Sequence, residues 1–197
     1  LFPLGSVLLP GARLPLQLFE PRYLDLARVL SSLEEDQRTF GVVLIRSGHE
    51  VGPDAARDLH GIGCEARVDA MALADSAIGT VVHLVATGVR RFRLEGIDTR
   101  ADTSYLTGEV TWLDEPPAGS DPEVAGLAER ALARHAAYLA SLSLQSEPIE
   151  APLGQVAYRV VERMVLDPSD RQRVLEGPDA ATRLRTALEP RVAKGAL

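Results

Sequence analysis

The sequence predicts an α+β protein, with a β-rich first part to about residue 115 and an all-helical second part. Three observations predict it. Before residue 115 the apolar residues come in short runs, β-branched and aromatic, broken by glycine. After it they recur at helical spacing. Between the two lies DEPPAGSDPE, Asp114 to Glu123, whose prolines and small residues mark a linker. The expected division is therefore residues 1–115 and residues 116–197.

The opening segment is rich in leucine and proline. Proline cannot donate to a ladder, so Pro3, Pro10 and Pro15 are expected at strand starts, edges or bends. From Pro21 onward Tyr23, Leu26, Ala27, Leu30 and Leu33 fall at helical spacing, and Pro21 suits a first turn. Glu20 and Arg22 flank that start. A carboxylate there is favoured by the helix dipole, and Arg22 could pair with it, with a nearby carbonyl, or with a ligand. Glu34-Glu35-Asp36 follows and reads as solvated surface.

Five strands are expected next: Phe40 to Gly48, Gly61 to Leu73, Thr80 to Gly88, Val89 to Ile97 and Tyr105 to Leu113. Strands at this spacing suggest a barrel or a sandwich. Ser120 and Glu123 have capping-box spacing with Pro122 in the first turn, so a long helix should run to about Leu142. Val124, Leu127, Ala131, Tyr138 and Leu142 would share one of its faces. A second helix is expected from about Leu153 to Leu166, carrying Val156, Val160 and Met164. A third runs from Pro168 to Glu176, stopped by Gly177 and Pro178. A fourth begins near Asp179 and carries Leu184 and Leu188.

Composition narrows the function. Of 197 residues, 46% are hydrophobic and 25% charged, an ordinary globular balance. No apolar run approaches the roughly 18 residues that span a bilayer, so no membrane partner is expected. A single cysteine, Cys64, excludes an internal disulfide framework and fits a reducing cytoplasm, as does an opening without a basic leader segment. The net charge is −7, and residues 1–119 carry 11 basic against 17 acidic groups. An acidic surface repels phosphate backbones, so nucleic acid is disfavoured. Twenty of the 21 basic residues are arginine; the lone lysine is Lys194.

The opening carries the most specific signal. Leu1-Phe2-Pro3-Leu4, Leu8-Leu9-Pro10-Gly11, Leu14-Pro15-Leu16 and Leu18-Phe19-Glu20-Pro21-Arg22-Tyr23 follow one another without gaps. Together they resemble the start of the Lon protease amino-terminal domain family. Gly61-Ile62-Gly63 through Ala66 resembles that family's Gly-x-Gly strand, and Gly88 to Leu94 its glycine–arginine hairpin. Leu166-Asp167-Pro168, Arg171-Gln172, Leu175-Glu176, Asp179 and Arg183-Leu184 resemble its helical end. The resemblance runs to about residue 188 and implies a stand-alone module without the ATPase and peptidase domains. It also implies a PUA-like β-barrel of about six strands with one inserted helix, then a helical bundle.

The chemistry of the full Lon enzyme does not transfer. The sequence has no Gly-x-x-x-x-Gly-Lys-Ser/Thr phosphate loop, and arginine cannot replace a catalytic lysine as a base. His49, His60, His83 and His135 are scattered without metal-ligand spacing. His83, mid-strand, reads as a hydrogen-bonded structural histidine and Cys64 as buried and inert. Arg90, Arg91 and Arg93 are the strongest candidates for RNA, with Arg91 and Arg93 on one exposed strand face opposite Phe92 and Leu94, and with Glu95, Asp98 and Asp102 available to neutralise them. No catalytic residue, cofactor or metal is expected. The resemblance implies recognition of unfolded or specific protein clients, with contacts supporting a homo-oligomer. Trp112 and Tyr138, at the expected seam between the two parts, and Arg22 are the candidate binding residues; the alternatives are an RNA-binding module and a structural scaffold.

Overall fold

The computed structural model describes residues 1–48, 58–76, 79–145 and 147–189. His49 and Lys194 lie outside them. The chain divides into two compact units, Leu1–Leu113 and Asp114–Leu197.

The first unit holds seven strands and one α-helix among the described residues. They are β1 (Phe2–Leu4), β2 (Arg13–Leu18), α1 (Pro21–Ser31), β3 (Thr39–Ser47), β4 (Asp58–Leu59), β5 (Ile62–Ser76), β6 (Gly79–Ile97) and β7 (Gly108–Trp112). The sheet order is β1-β3-β5-β6-β2, with β4 on β3 and β7 on β6. No pairing among the described residues joins the two ends, so the expected closed barrel is an open seven-stranded sheet. Pro3 and Pro15 sit on its edge strands, where a missing donor costs no ladder bond.

The expected hairpin at Gly88 is also corrected: β6 runs straight through it. Gly88 is glycine for close approach, not for a turn. Its N–H donates to the Ala12 carbonyl at 2.9 Å and its carbonyl accepts from Gly11 N–H at 2.7 Å. A Cβ there would collide with the Leu9 carbonyl oxygen. The core beneath the sheet contains Phe2, stacked on Tyr23 of α1 at 4.1 Å, with Phe40 6.0 Å away. On α1, Tyr23, Leu26, Ala27 and Leu30 are buried as their spacing predicts, whereas Leu33 lies past the end of the helix.

The second unit is helical: α2 (Pro122–Ser141), α3 (Val156–Glu162), α4 (Pro168–Glu176) and α5 (Ala180–Leu188). The N-cap of α2 is Asp121 rather than the expected Ser120. Its carboxylate accepts from Glu123 N–H at 2.9 Å, and Pro122, lacking an N–H, occupies the first position between them. The buried face of α2 is Val124, Leu127, Ala128, Ala131 and His135; Tyr138 is half-buried and Leu142 exposed. The expected second helix shortens to α3 behind a single 3-10 turn, Leu153–Gln155.

Arg183, on α5, is buried at the centre of this unit. It pairs with Glu115 at 2.8 Å, donates to the Gly177 and Gly154 carbonyls, and lies over the Tyr158 ring at 5.1 Å. Tyr158 donates to the other Glu115 oxygen at 2.9 Å. Gly177 does not take the left-handed cap conformation; its φ is −57°. It is small because a Cβ would stand 2.5 Å from Arg183 Cγ.

Two predictions follow from these contacts. Gly88→Ala should cost about 1–3 kcal/mol, as overpacking against backbone does, read as a shift in the denaturation midpoint. His135 is buried, and its Nε2 has no hydrogen-bond partner among the described residues. Burial lowers its pKa, and nearby Arg163 lowers it further. The folded chain therefore holds fewer protons there than the unfolded chain, so stability should fall as pH drops below about 6.5. In His135→Leu that part of the pH dependence should disappear from urea titrations between pH 7 and pH 5.

Candidate functional site

A recess in the first unit lies between α1 and the β5–β6 ladder. On α1, Leu24, Ala27, Arg28 and Ser31 fall at i, i+3, i+4 and i+7, one stripe along the helix. Facing them are Met71 and Leu73 of β5 with Thr80 and Val82 of β6. The ladder register fixes this second wall, since Leu73 sits opposite Val82 and successive same-face residues on β5 are two apart. The groove encloses about 520 Å³. Leu73, at its mouth, is 78% exposed, an unusual state for a large apolar side chain. Arg28 is already neutralised, pairing with Asp25 at 2.6 Å. Asp25 also accepts from Ser104 Oγ at 2.7 Å, and these two bonds, that from Ser104 foremost, hold its carboxyl below the usual range.

Trp112 ends β7 and is 44% exposed. Its ring meets Phe92 edge-on at 6.2 Å and carries the Arg90 guanidinium 3.6 Å above its centroid. Arg90 Nε in turn donates to Glu65 at 2.7 Å. Phe92, Trp112, Val110, Phe40 and Gly41 line a second cleft of about 260 Å³. This arrangement corrects the expectation for the arginine cluster. Arg91 is buried rather than sharing an exposed face with Arg93, because β6 is covered on both faces here, Phe92 being buried as well. The neutralising carboxylate on Arg90 is Glu65, from the neighbouring strand, not one of the acids that follow in sequence. Arg93 stays exposed. His83 is exposed on its strand, while Cys64 is buried as expected.

Tyr138 belongs to the second unit, so Trp112 and Tyr138 occupy separate units. Its hydroxyl accepts from Val165 N–H at 3.2 Å, and Leu142, Leu144 and Val165 are exposed large apolar residues of the same unit. Arg22 pairs with Glu20 at 3.0 Å and lies over the Tyr23 ring at 4.6 Å, which fixes the entry to α1. The groove was not found from sequence. Its two walls are about 40 residues apart, and the available signal was the alternation that puts Met71 and Leu73 on one strand face.

These features define a mixed α+β domain whose most distinctive surface is apolar. Residues 1–189 match the family described as the ATP-dependent protease La (LON) substrate-binding domain, and the chain belongs to that family. It is 31% identical to a Lon N-terminal domain protein from Xanthomonas campestris, whose crystal structure superposes with a TM-score of 0.66 over 95% of this chain and 94% of that one. The N-terminal domain of a Mycobacterium avium complex Lon protease shares the fold, with a TM-score of 0.62 at 17% identity, covering 93% of this chain and 91% of that one. No curated protein matches the sequence.

The Arg90 stack makes a specific prediction. Arg90→Ala leaves the buried Glu65 carboxylate without its guanidinium and should cost roughly 1–3 kcal/mol, with a change in Trp112 emission. Arg93→Ala, on the exposed face, should stay within about 0.5 kcal/mol and leave the emission unchanged.

Proposed function

We propose that this chain is a non-catalytic recognition module that holds segments of protein clients in the groove between α1 and the β5–β6 ladder. The observation that carries this reading is Leu73, 78% exposed at the mouth of an apolar recess of about 520 Å³. Contiguous exposed apolar surface of this kind marks interaction sites on soluble domains. Met71, unbranched and flexible, suits a wall that must fit varied side chains. Membership of a family described by substrate binding supports the same direction. The shortage of lysine supports the non-catalytic part.

Trp112, and Tyr138 with Leu142 and Val165, are secondary contacts in this reading; Arg22 serves the helix start through Glu20. The β-rich unit is read as an opened PUA-like barrel and the helical unit as a bundle, acting in the cytoplasm. No helix among the described residues is long and apolar enough to cross a membrane.

The test is binding of a permanently unfolded, carboxymethylated protein, followed by fluorescence anisotropy. Burying one leucine contributes about 1.5–3 kcal/mol, so Leu73→Ser should weaken binding at least tenfold while the far-ultraviolet circular dichroism stays unchanged. Equal binding by the variant would contradict the assignment of the groove.

A further inference from the structure

We propose that the groove selects client segments in which a bulky apolar residue lies close to a lysine or arginine; this rests on the recognition reading above. The argument begins with strand alternation. Met71, Leu73 and Asp75 fall two apart on β5 and share a face. The ladder sets Leu73 opposite Val82 and Asp75 opposite Thr80, so the stripe runs from apolar to acidic as it leaves the groove. Asp75 stands about 7 Å beyond Leu73 along the strand.

The charges around the groove are not equivalent. Arg28 on the helical wall is held by Asp25, and Asp25 is further held by Ser104. Asp75 is exposed and has no ion pair or side-chain hydrogen bond among the described residues. Among the described residues it is an uncompensated charge at the open end of the groove. A client residue that fills the space beside Leu73 places its near neighbours against this carboxylate, where a cation is attracted and an anion repelled. The overall charge of −7 acts in the same sense at longer range.

The experiment uses the full chain and three fluorescein-labelled twelve-residue peptides. Each carries two leucines followed two positions later by lysine, glutamine or glutamate, in an otherwise Gly-Ser background. An exposed pair is worth little, so the lysine peptide should bind about fivefold tighter than the glutamate peptide at low salt. The preference should vanish near 1 M salt, where screening acts within about 3 Å. Asp75→Lys should invert the order, and Asp75→Asn should flatten it. Equal affinity for the three peptides, or an order unchanged in both variants, overturns the proposal; binding of the unfolded client by the same preparation then shows that the recognition reading survives. If neither peptides nor unfolded client bind, both fall.

Discussion

Strand β6 pairs with β5 along nearly its whole length, with β2 over its first half and with β7 over its second, and the β-rich unit depends on that ladder. A strand flanked on both sides must cover its apolar residues on the sheet's inner face. Val82, Leu84, Ala86 and Phe92 are accordingly buried along it, and Val81, on the opposite face, is buried as well. The same pairing explains why Gly88 cannot carry a side chain, since the segment ending in Ala12 crosses tightly enough to hydrogen-bond with it. It also builds the groove. Leu73 and Val82 face α1 side by side because β5 and β6 remain paired out to Ser76 and Gly79.

The helical unit is organised differently, around a charge. Arg183 is buried with its positive charge met by Glu115, its two terminal nitrogens by carbonyls and its face by Tyr158, while its Nε has no hydrogen-bond partner among the described residues. A buried guanidinium needs its charge met, and removing one partner from such a site is far more disruptive than replacing the whole set. Glu115 comes from the proline-rich stretch ahead of α2. That stretch is therefore tied to the helical unit by a buried ion pair and a tyrosine hydroxyl. His135, buried on α2, adds a polar group whose protonation the interior disfavours.

Local chemistry was the legible part of the sequence. Pro21 starts α1, Pro168 and Glu176 bound α4, and Asp179 caps α5, because each signal acts within a turn of its own residue. The sequence misleads where a residue serves a distant neighbour. Gly88 and Gly177 looked like punctuation but are small to admit Leu9 and Arg183. Arg91 looked solvated but is buried, and His135 rather than Tyr138 lies on the buried face of α2. Trp112 ends β7 and is half-exposed, and its Arg90–Glu65 company depends on pairing between strands far apart in sequence. The groove escaped altogether, since no periodicity relates Leu24–Ser31 to Met71–Val82.

The proposed recognition surface needs exposed apolar area that the folded core does not consume, and the groove beside Leu73 is the candidate for it. The most direct measurement of this account is a methyl-resolved NMR titration of the full chain with an unfolded client. The account predicts that Leu24, Met71, Leu73 and Val82 shift first and furthest, with the secondary contacts Leu142 and Val165 shifting later and less. Shifts confined to the helical unit, or spread evenly over both units, would contradict it.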